Sequence, residues 1–147
     1  MPIFVIHEHH AKHLHFDLRL EMNKTLKSWA VPKGPSMNPN EKRLAIMVAD
    51  HQLEYASFDG VIPDGMYGAG TVVIWDKGKF EIQGGSLKQG KLDLLFKGKK
   101  LKGAFSLVKM SGKEKEWLLM KKSDKHADYS FVLKTILPAS KISGKKK

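Results

Sequence analysis

From Leu14 to Glu21 the chain alternates without a break: Leu14, Phe16, Leu18 and Leu20 are apolar, and His15, Asp17, Arg19 and Glu21 are polar. Side chains of a strand switch faces at every residue, so this segment sends its apolar set into a core and lines its other face with imidazole, carboxylate and guanidinium. Similar short β-rich runs, separated by Gly- or Asn-containing punctuation, predict strands at Ile3 to Ile6, Leu14 to Glu21, Thr25 to Ala30, Arg43 to Val48, Tyr55 to Phe58, Gly70 to Asp76, Lys79 to Gln83, Lys91 to Phe96, Leu101 to Lys109 and Trp117 to Lys122. No run has the period of a long amphipathic helix. Asn23-Lys24, Asp76-Lys77-Gly78, Gly84-Gly85 and Lys97-Gly98-Lys99 fall where hairpins would turn, which implies sequential antiparallel pairing. The predicted fold is all-β: a closed antiparallel β-barrel with short helices or none.

Two segments cannot join a regular ladder. Val31 to Asn40 holds three prolines, and Gly60 to Gly70 alternates glycine with Pro63 and Asp64. Both are predicted as ordered loops over the barrel, where binding sites are commonly built. From Pro138 onward the apolar content is too low to offset the entropy of ordering. The predicted organisation is one barrel domain over 1–137 and a basic, disordered tail over 138–147.

Composition narrows the chemistry. At 147 residues and 41% hydrophobic, the chain has the size and apolar content of one folded domain. It has no cysteine, which excludes disulfides, thiolate metal sites and thiol nucleophiles and leaves histidine, carboxylate and backbone oxygen as metal ligands. Pro2 to Ile6 is too short for a signal-peptide core, and no run approaches the ~20 apolar residues of a membrane span. A soluble, cytoplasmic protein is expected. The net charge of +11 favours a polyanionic partner. Much of the excess is lysine in the second half, which by itself suits a solvated surface as well as a nucleic-acid track.

His15-x-Asp17 is the strongest local signal, because residues two apart on a strand project the same way and can grip one ion. A third ligand is required, with His9, preceding the strand, and His51, following another, as candidates. His7, His10 and His13 are read as incidental, because the alternation does not fix their direction. Arg19 shares the face of His15 and Asp17. With a cation on Asp17, its guanidinium would be free to hold a second anion through two parallel hydrogen bonds, and a phosphoryl group suits metal plus arginine. Lys33 and Arg43 are candidates to add positive charge around that phosphate. Gly65 to Gly70 lacks the spacing and ending of a P-loop, and no nucleophile elbow is present.

Three longer strings lie in unbroken order: Phe4 to Glu21; Leu26 to Ser36, containing Trp29-Ala30-Val31-Pro32-Lys33-Gly34-Pro35; and Asp50 to Gly70, containing His51-x-Leu53-x-Tyr55 and Gly65-x-Tyr67-Gly68-Ala69-Gly70. Together with Gly103-x-Phe105-x-Leu107-Val108-Lys109 and Trp117 to Lys122, they resemble the 3'-phosphoesterase domain of bacterial DNA ligase D. The resemblance spans roughly Ile3 to Lys125. It implies a barrel with a surface groove and a manganese-dependent enzyme that removes a 3'-terminal ribonucleoside as a phosphodiesterase and then a 3'-phosphate as a phosphomonoesterase, leaving a 3'-hydroxyl for repair ligation. Its metal ligands would be His9, His15 and Asp17. Arg19, His51 and Tyr55 would be catalytic, with Arg19, His51, Lys33 and Arg43 on the phosphate. The implied partners are primer-template DNA ending in a 3' ribonucleotide or 3'-phosphate and a separate DNA ligase. An ordinary histidine pKa near 6.5 would let His51 or another histidine protonate the leaving 5' oxygen.

This chain departs from the family pattern at two places, carrying His7 where glutamine is usual and Ala49 where an acidic residue is common. Two other functions fit parts of the pattern. A non-haem iron oxygenase of the cupin type also uses two histidines and one carboxylate on a barrel, but has no need of Arg19 or a basic exterior. A non-catalytic nucleic-acid-binding barrel would use exposed Trp75 or Trp117 as stacking platforms, but has no need of an aligned His15 and Asp17.

Overall fold

A computed structural model describes residues 1–137; the predicted tail, 138–147, lies outside the described residues. The strands are β1 (Ile3–His10), β2 (Leu14–Met22), β3 (Thr25–Val31), β4 (Arg43–Gln52), β5 (Gly60–Ile62), β6 (Gly70–Ser86), β7 (Lys91–Lys97), β8 (Lys102–Lys109) and β9 (Glu116–Lys121), with a 3-10 helix over Leu53–Ser57. All pairings are antiparallel. The order β1-β2-β3-β4-β9-β8-β7-β6 closes through β1 against β6 into an eight-stranded barrel, and β5 adds to the outer end of β6. Closure gives each of those eight strands a neighbour on both sides.

The alternation places Phe4, Ile6, Phe16, Leu18, Leu20, Trp29 and Val31 inside the barrel, where they meet Phe80, Leu94, Phe96, Phe105 and Trp117, all nearly inaccessible to solvent. Glu8 and His10, the last inward residues of β1, form a buried pair at 2.6 Å. The Glu8 carboxylate also accepts the backbone N–H groups of Ile136 and Leu137, which ties residues at the end of the described chain to this mouth of the barrel.

Several expected boundaries move. The run Tyr55 to Phe58 is not a strand; Leu53–Ser57 curls as a 3-10 helix whose Leu53, Tyr55 and Ala56 pack with Val5 and Leu26 on the outside of the barrel. Gly70 to Asp76 and Lys79 to Gln83 are one 17-residue strand, β6. Asp76-Lys77-Gly78 is therefore not a turn, because β6 leaves its pairing with β1 at Lys79 and takes up β7 from the same residue. Gly84-Gly85 pairs with Asp93 and Leu92 inside that strand, just after a bulge at Gln83, and the chain reverses at Leu87–Gly90. At Asn23-Lys24 the hairpin is as expected: both residues have positive φ, as a two-residue turn matched to strand twist requires. Lys97-Gly98-Lys99 is likewise a connection, between β7 and β8.

Candidate metal and phosphate site

The two histidine-bearing segments pair. β1 runs to His10 rather than stopping at Ile6, and its register sets His9 opposite His15, His7 opposite Asp17 and Val5 opposite Arg19. Cross-strand neighbours on one face are the closest contacts a sheet offers, so the outer face of β1–β2 gathers every polar group of the sequence signal. His9 thus reaches the site as a ladder partner of His15, not as a residue folding back from before the strand. His51 lies within β4, opposite Leu26 of β3.

One nitrogen each from His9 and His15 and one oxygen from Asp17 lie within 4.8 Å of one another, a possible metal site. His9 Nδ1 is 3.4 Å from Asp17 Oδ2, His15 Nε2 is 3.3 Å from Asp17 Oδ1, and the two ring nitrogens are 3.2 Å apart. The outer nitrogens are committed elsewhere. His9 Nε2–H donates to the Gly68 carbonyl at 2.8 Å, and His15 Nδ1–H to the His13 carbonyl at 3.3 Å. Neutral rings in those tautomers turn two lone pairs toward a carboxylate, which requires a cation or a proton among them. Backbone carbonyls that fix the tautomer of a ligating imidazole are the usual support of such a centre. The donor set therefore fits a divalent ion that accepts nitrogen and oxygen. With protons rather than a cation among these groups, burial pushes the Asp17 carboxyl up, but hydrogen bonding from the protonated inner nitrogens of His15 and His9 and the charge of Arg19 outweigh it and hold Asp17 well below the usual carboxylate range. Burial acts to lower His15, yet its contact with Asp17 raises it.

Arg19 is 3% exposed and is held at every nitrogen. Nε donates to His7 Nδ1 at 3.1 Å, Nη1 to Ser28 Oγ at 2.9 Å and to His51 Nδ1 at 3.1 Å, and Nη2 to Asp17 Oδ2 at 3.2 Å. Its guanidinium carbon sits 4.9 Å from the centre of the Tyr55 ring. Of the five N–H groups of an arginine, only one on Nη2 is left. The unshared two-pronged grip expected from the sequence is absent in this arrangement, and the protein fixes the charge in place instead.

His7 and His10 are not incidental; they are 0% and 2% exposed. His7 accepts from Arg19 through Nδ1 and donates through Nε2 to the Phe58 carbonyl at 3.1 Å. An amide side chain makes the same donor and acceptor pair, so histidine can take the place of the family's glutamine. Burial first, then the charge of Arg19, lowers the His7 pKa to about 4, so the ring is neutral near pH 7. His13 is exposed in the β1–β2 turn. His51 is also lowered, by burial and then by Arg19. Because arginine only donates, His51 Nδ1 accepts and Nε2 carries the proton, and at neutral pH the ring is a hydrogen-bond donor rather than the imidazolium acid that an ordinary pKa would allow. At the position of the missing acidic side chain, the Ala49 carbonyl oxygen lies 3.2 Å from that Nδ1.

His9, His15, Asp17, Arg19 and His51 line a cavity of about 410 Å³, with Tyr55, Lys12 and Tyr67 in its walls. Lys33 and Arg43 are not among its lining. They bound a separate cavity of about 240 Å³ with Lys42, and Arg43 is paired with Glu41 at 3.2 Å. Lys12, Ser28, Phe58 and Tyr67 escaped the sequence analysis. Ser28 alone had a signal, since it stands opposite Arg19 once β2 and β3 are aligned across the Asn23-Lys24 turn. Trp75 and Trp117 are 4% and 2% exposed, which removes the stacking platforms of a non-catalytic binder.

The DNA Ligase D 3'-phosphoesterase domain family model matches residues 7–109. The chain belongs to this family. It is 45% identical over 129 residues to the multifunctional non-homologous end joining protein LigD of Pseudomonas aeruginosa, covering 84% of this chain and 15% of that protein. Identity to the protein of the same name from Mycolicibacterium smegmatis is 41% over 130 residues, or 82% of this chain and 17% of the relative. A Mycobacterium tuberculosis relative, the multifunctional non-homologous end joining DNA repair protein LigD, is 43% identical over 111 residues, 74% of this chain and 15% of that protein. The chain thus spans about a sixth of the length of the curated relatives it matches. Among the described residues no helix is long and apolar enough to cross a membrane.

Proposed function

We propose that this chain is a metal-dependent phosphoesterase that heals 3' ends of nucleic acid during end-joining repair in the cytoplasm, with manganese as its metal. The observation that carries this reading is the side-by-side placement, on one strand face, of a three-donor metal set and a buried arginine that opens with His51 onto one cavity. Its substrates are primer-template ends bearing a 3' ribonucleoside or a 3'-phosphate, and its product is a 3'-hydroxyl for a DNA ligase.

His9, His15 and Asp17 would hold the ion, which when bound supplies positive charge and Lewis-acid polarisation of a nonbridging phosphate oxygen. Arg19, locked by His7, Ser28 and Asp17, presents fixed charge to the same phosphate without reorganising as negative charge grows. His51 Nε2–H donates to a second phosphate oxygen. Tyr55, whose phenol burial keeps protonated, walls the site. In the diester step the oxygen of water bonds to phosphorus, the bond to the 5' oxygen of the terminal nucleoside breaks, and that oxygen leaves with a proton. The strand keeps a 3'-phosphate. A second water then displaces the 3' oxygen, releasing inorganic phosphate. Lys33, Lys42 and Arg43 supply positive charge for the strand leading to the site.

The test is a labelled primer-template ending in one ribonucleotide, incubated with the chain and Mn²⁺, with and without chelator. Stepwise appearance of 3'-phosphate and 3'-hydroxyl ends, abolished by chelator, is expected. Oxygen consumption with an oxoacid and no change in the primer would point to the oxygenase instead.

A further inference from the structure

β5 and its connection to β6 carry an exposed apolar group to which no role has been given above. Val61, Met66 and Tyr67 are 69%, 61% and 79% exposed, although the barrel has a closed core that leaves no need for them outside. Tyr67 lines the same cavity as Arg19, His51 and the three metal-binding side chains. The segment is braced rather than loose. Met66 N–H donates to the Pro63 carbonyl and Ala69 N–H to Met66, and His9 Nε2–H holds the Gly68 carbonyl. Gly70 follows with φ of 128°, a conformation that brings its Cα against the His10 carbonyl, where a Cβ would collide with the oxygen. His9 and the backbone that carries Tyr67 are therefore fixed relative to each other.

Charge divides the surroundings of the site. Lys33, Lys42 and Arg43 stand together on the β3–β4 side, whereas around the tip bearing Tyr67, on the β1–β6 side, the one lysine of the shared cavity wall is Lys12. A strand ending in a ribonucleoside is divided in the same way, because every nucleotide on the retained side carries a phosphate and the terminal nucleoside carries none beyond the scissile one. The polyanionic part matches the cationic flank, and the neutral terminal nucleoside matches the apolar one. We infer that Tyr67, with Met66 beside it, is the platform on which the base of the departing 3'-terminal nucleoside stacks, so that it sets the preference for nucleoside-ended over phosphate-ended substrates. The inference rests on the phosphoesterase reading above and adds to it a subsite for the leaving group. A tyrosine face accepts any of the four bases, so the platform selects for the presence of a base and not for its identity.

Three primer-templates test it, ending in a ribonucleoside, in an abasic ribose at the same position, or in a 3'-phosphate, each with wild type, Tyr67→Phe and Tyr67→Ala. Removal of a stacked base contact is worth about 10- to 100-fold. The expected result is a loss of that size in kcat/KM for Y67A on the ribonucleoside end, carried mainly by KM. The ratio of nucleoside to phosphate removal should fall with it, and Y67F should behave as wild type. The abasic end should already be poor for wild type and no poorer for Y67A. A second readout needs neither metal nor turnover: a strand ending in a 2-aminopurine riboside should lose fluorescence on binding wild type and Y67F but keep it with Y67A. Equal losses for Y67A on all three ends, or quenching unchanged in Y67A, would overturn the platform while leaving the phosphoesterase reading intact. Absence of any metal-dependent end processing by wild type would overturn both.

Discussion

Strand β2 has two faces that are both dry at its centre and behave by different rules. Phe16, Leu18 and Leu20 on the inner face are at most 1% exposed, while Asp17 and Arg19 on the outer face are 5% and 3% exposed. The inner face is held by apolar burial and packing, which are nearly indifferent to direction and forgive swaps that conserve volume. The outer face is held by a chain of donors and acceptors running from Phe58 through His7, Arg19 and Asp17 to His15, in which each group has a fixed role and a missing partner leaves a buried charge. Damage to the first face should cost stability and spare the chemistry of the folded molecules, and damage to the second should cost the chemistry even in molecules that remain folded.

The sharpest contrast uses adjacent residues. Asp17→Asn should cost activity on the order of 10³-fold, the scale of removing a central electrostatic group, and should abolish Mn²⁺ binding in a titration calorimeter. Leu18→Ala should cost about 2–5 kcal/mol of folding free energy in urea melts, with Mn²⁺ affinity and turnover per folded molecule retained. A Leu18 variant that stays stable but loses metal would erase the distinction between the faces. Arg19→Lys keeps the charge but loses the fork that reaches His7, Ser28 and Asp17 together. A loss of about 10²-fold in kcat with a smaller change in KM is expected.

Acid titration separates the faces without a mutation. His7 has a folded pKa of about 4 against an ordinary value of 6.5, lowered by burial and then by Arg19. Between those values the unfolded chain binds the proton and the folded chain does not, so stability is lost as the pH falls from 6.5 toward 4, in full on the order of 3 kcal/mol. His7→Gln preserves the bonds to Arg19 and Phe58 and has nothing to protonate. Metal-free urea midpoints at pH 7 and pH 4.5 should therefore differ less for H7Q than for wild type, and equal pH dependence would remove His7 from the account. The smallest effect is expected away from both faces. Lys33→Ala should raise KM a few-fold and reduce the slope of log affinity against log salt by about 1, with kcat unchanged.

The barrel and the character of its site were legible before any coordinates. Alternation from Leu14 to Glu21 names the inner and outer residues of β2, and Asn-Lys and Lys-Gly-Lys punctuation marks two of its hairpins, because both signals are local. The long strand β6 was not legible, since Asp76-Lys77-Gly78 has the composition of a turn and only its two successive partners, β1 and β7, hold it extended. Nor was the 3-10 helix at Leu53–Ser57, which packs on Val5 and Leu26 rather than following its own propensity.

Within the site, local pattern alone sets the chemical inventory: imidazoles without thiols, a carboxylate two residues from a histidine on one strand face, and an arginine two residues further along it. Those relations are set by the strand period and need no partner. The tertiary structure decided which histidines count. Pairing of β1 with β2 sets His9 against His15, burial turns His7 from an incidental residue into the acceptor that locks Arg19, and the connection after β5 brings Gly68 to His9 and Tyr67 to the cavity. Contacts between residues about 60 apart in sequence depend on register and loop path, which no local pattern encodes.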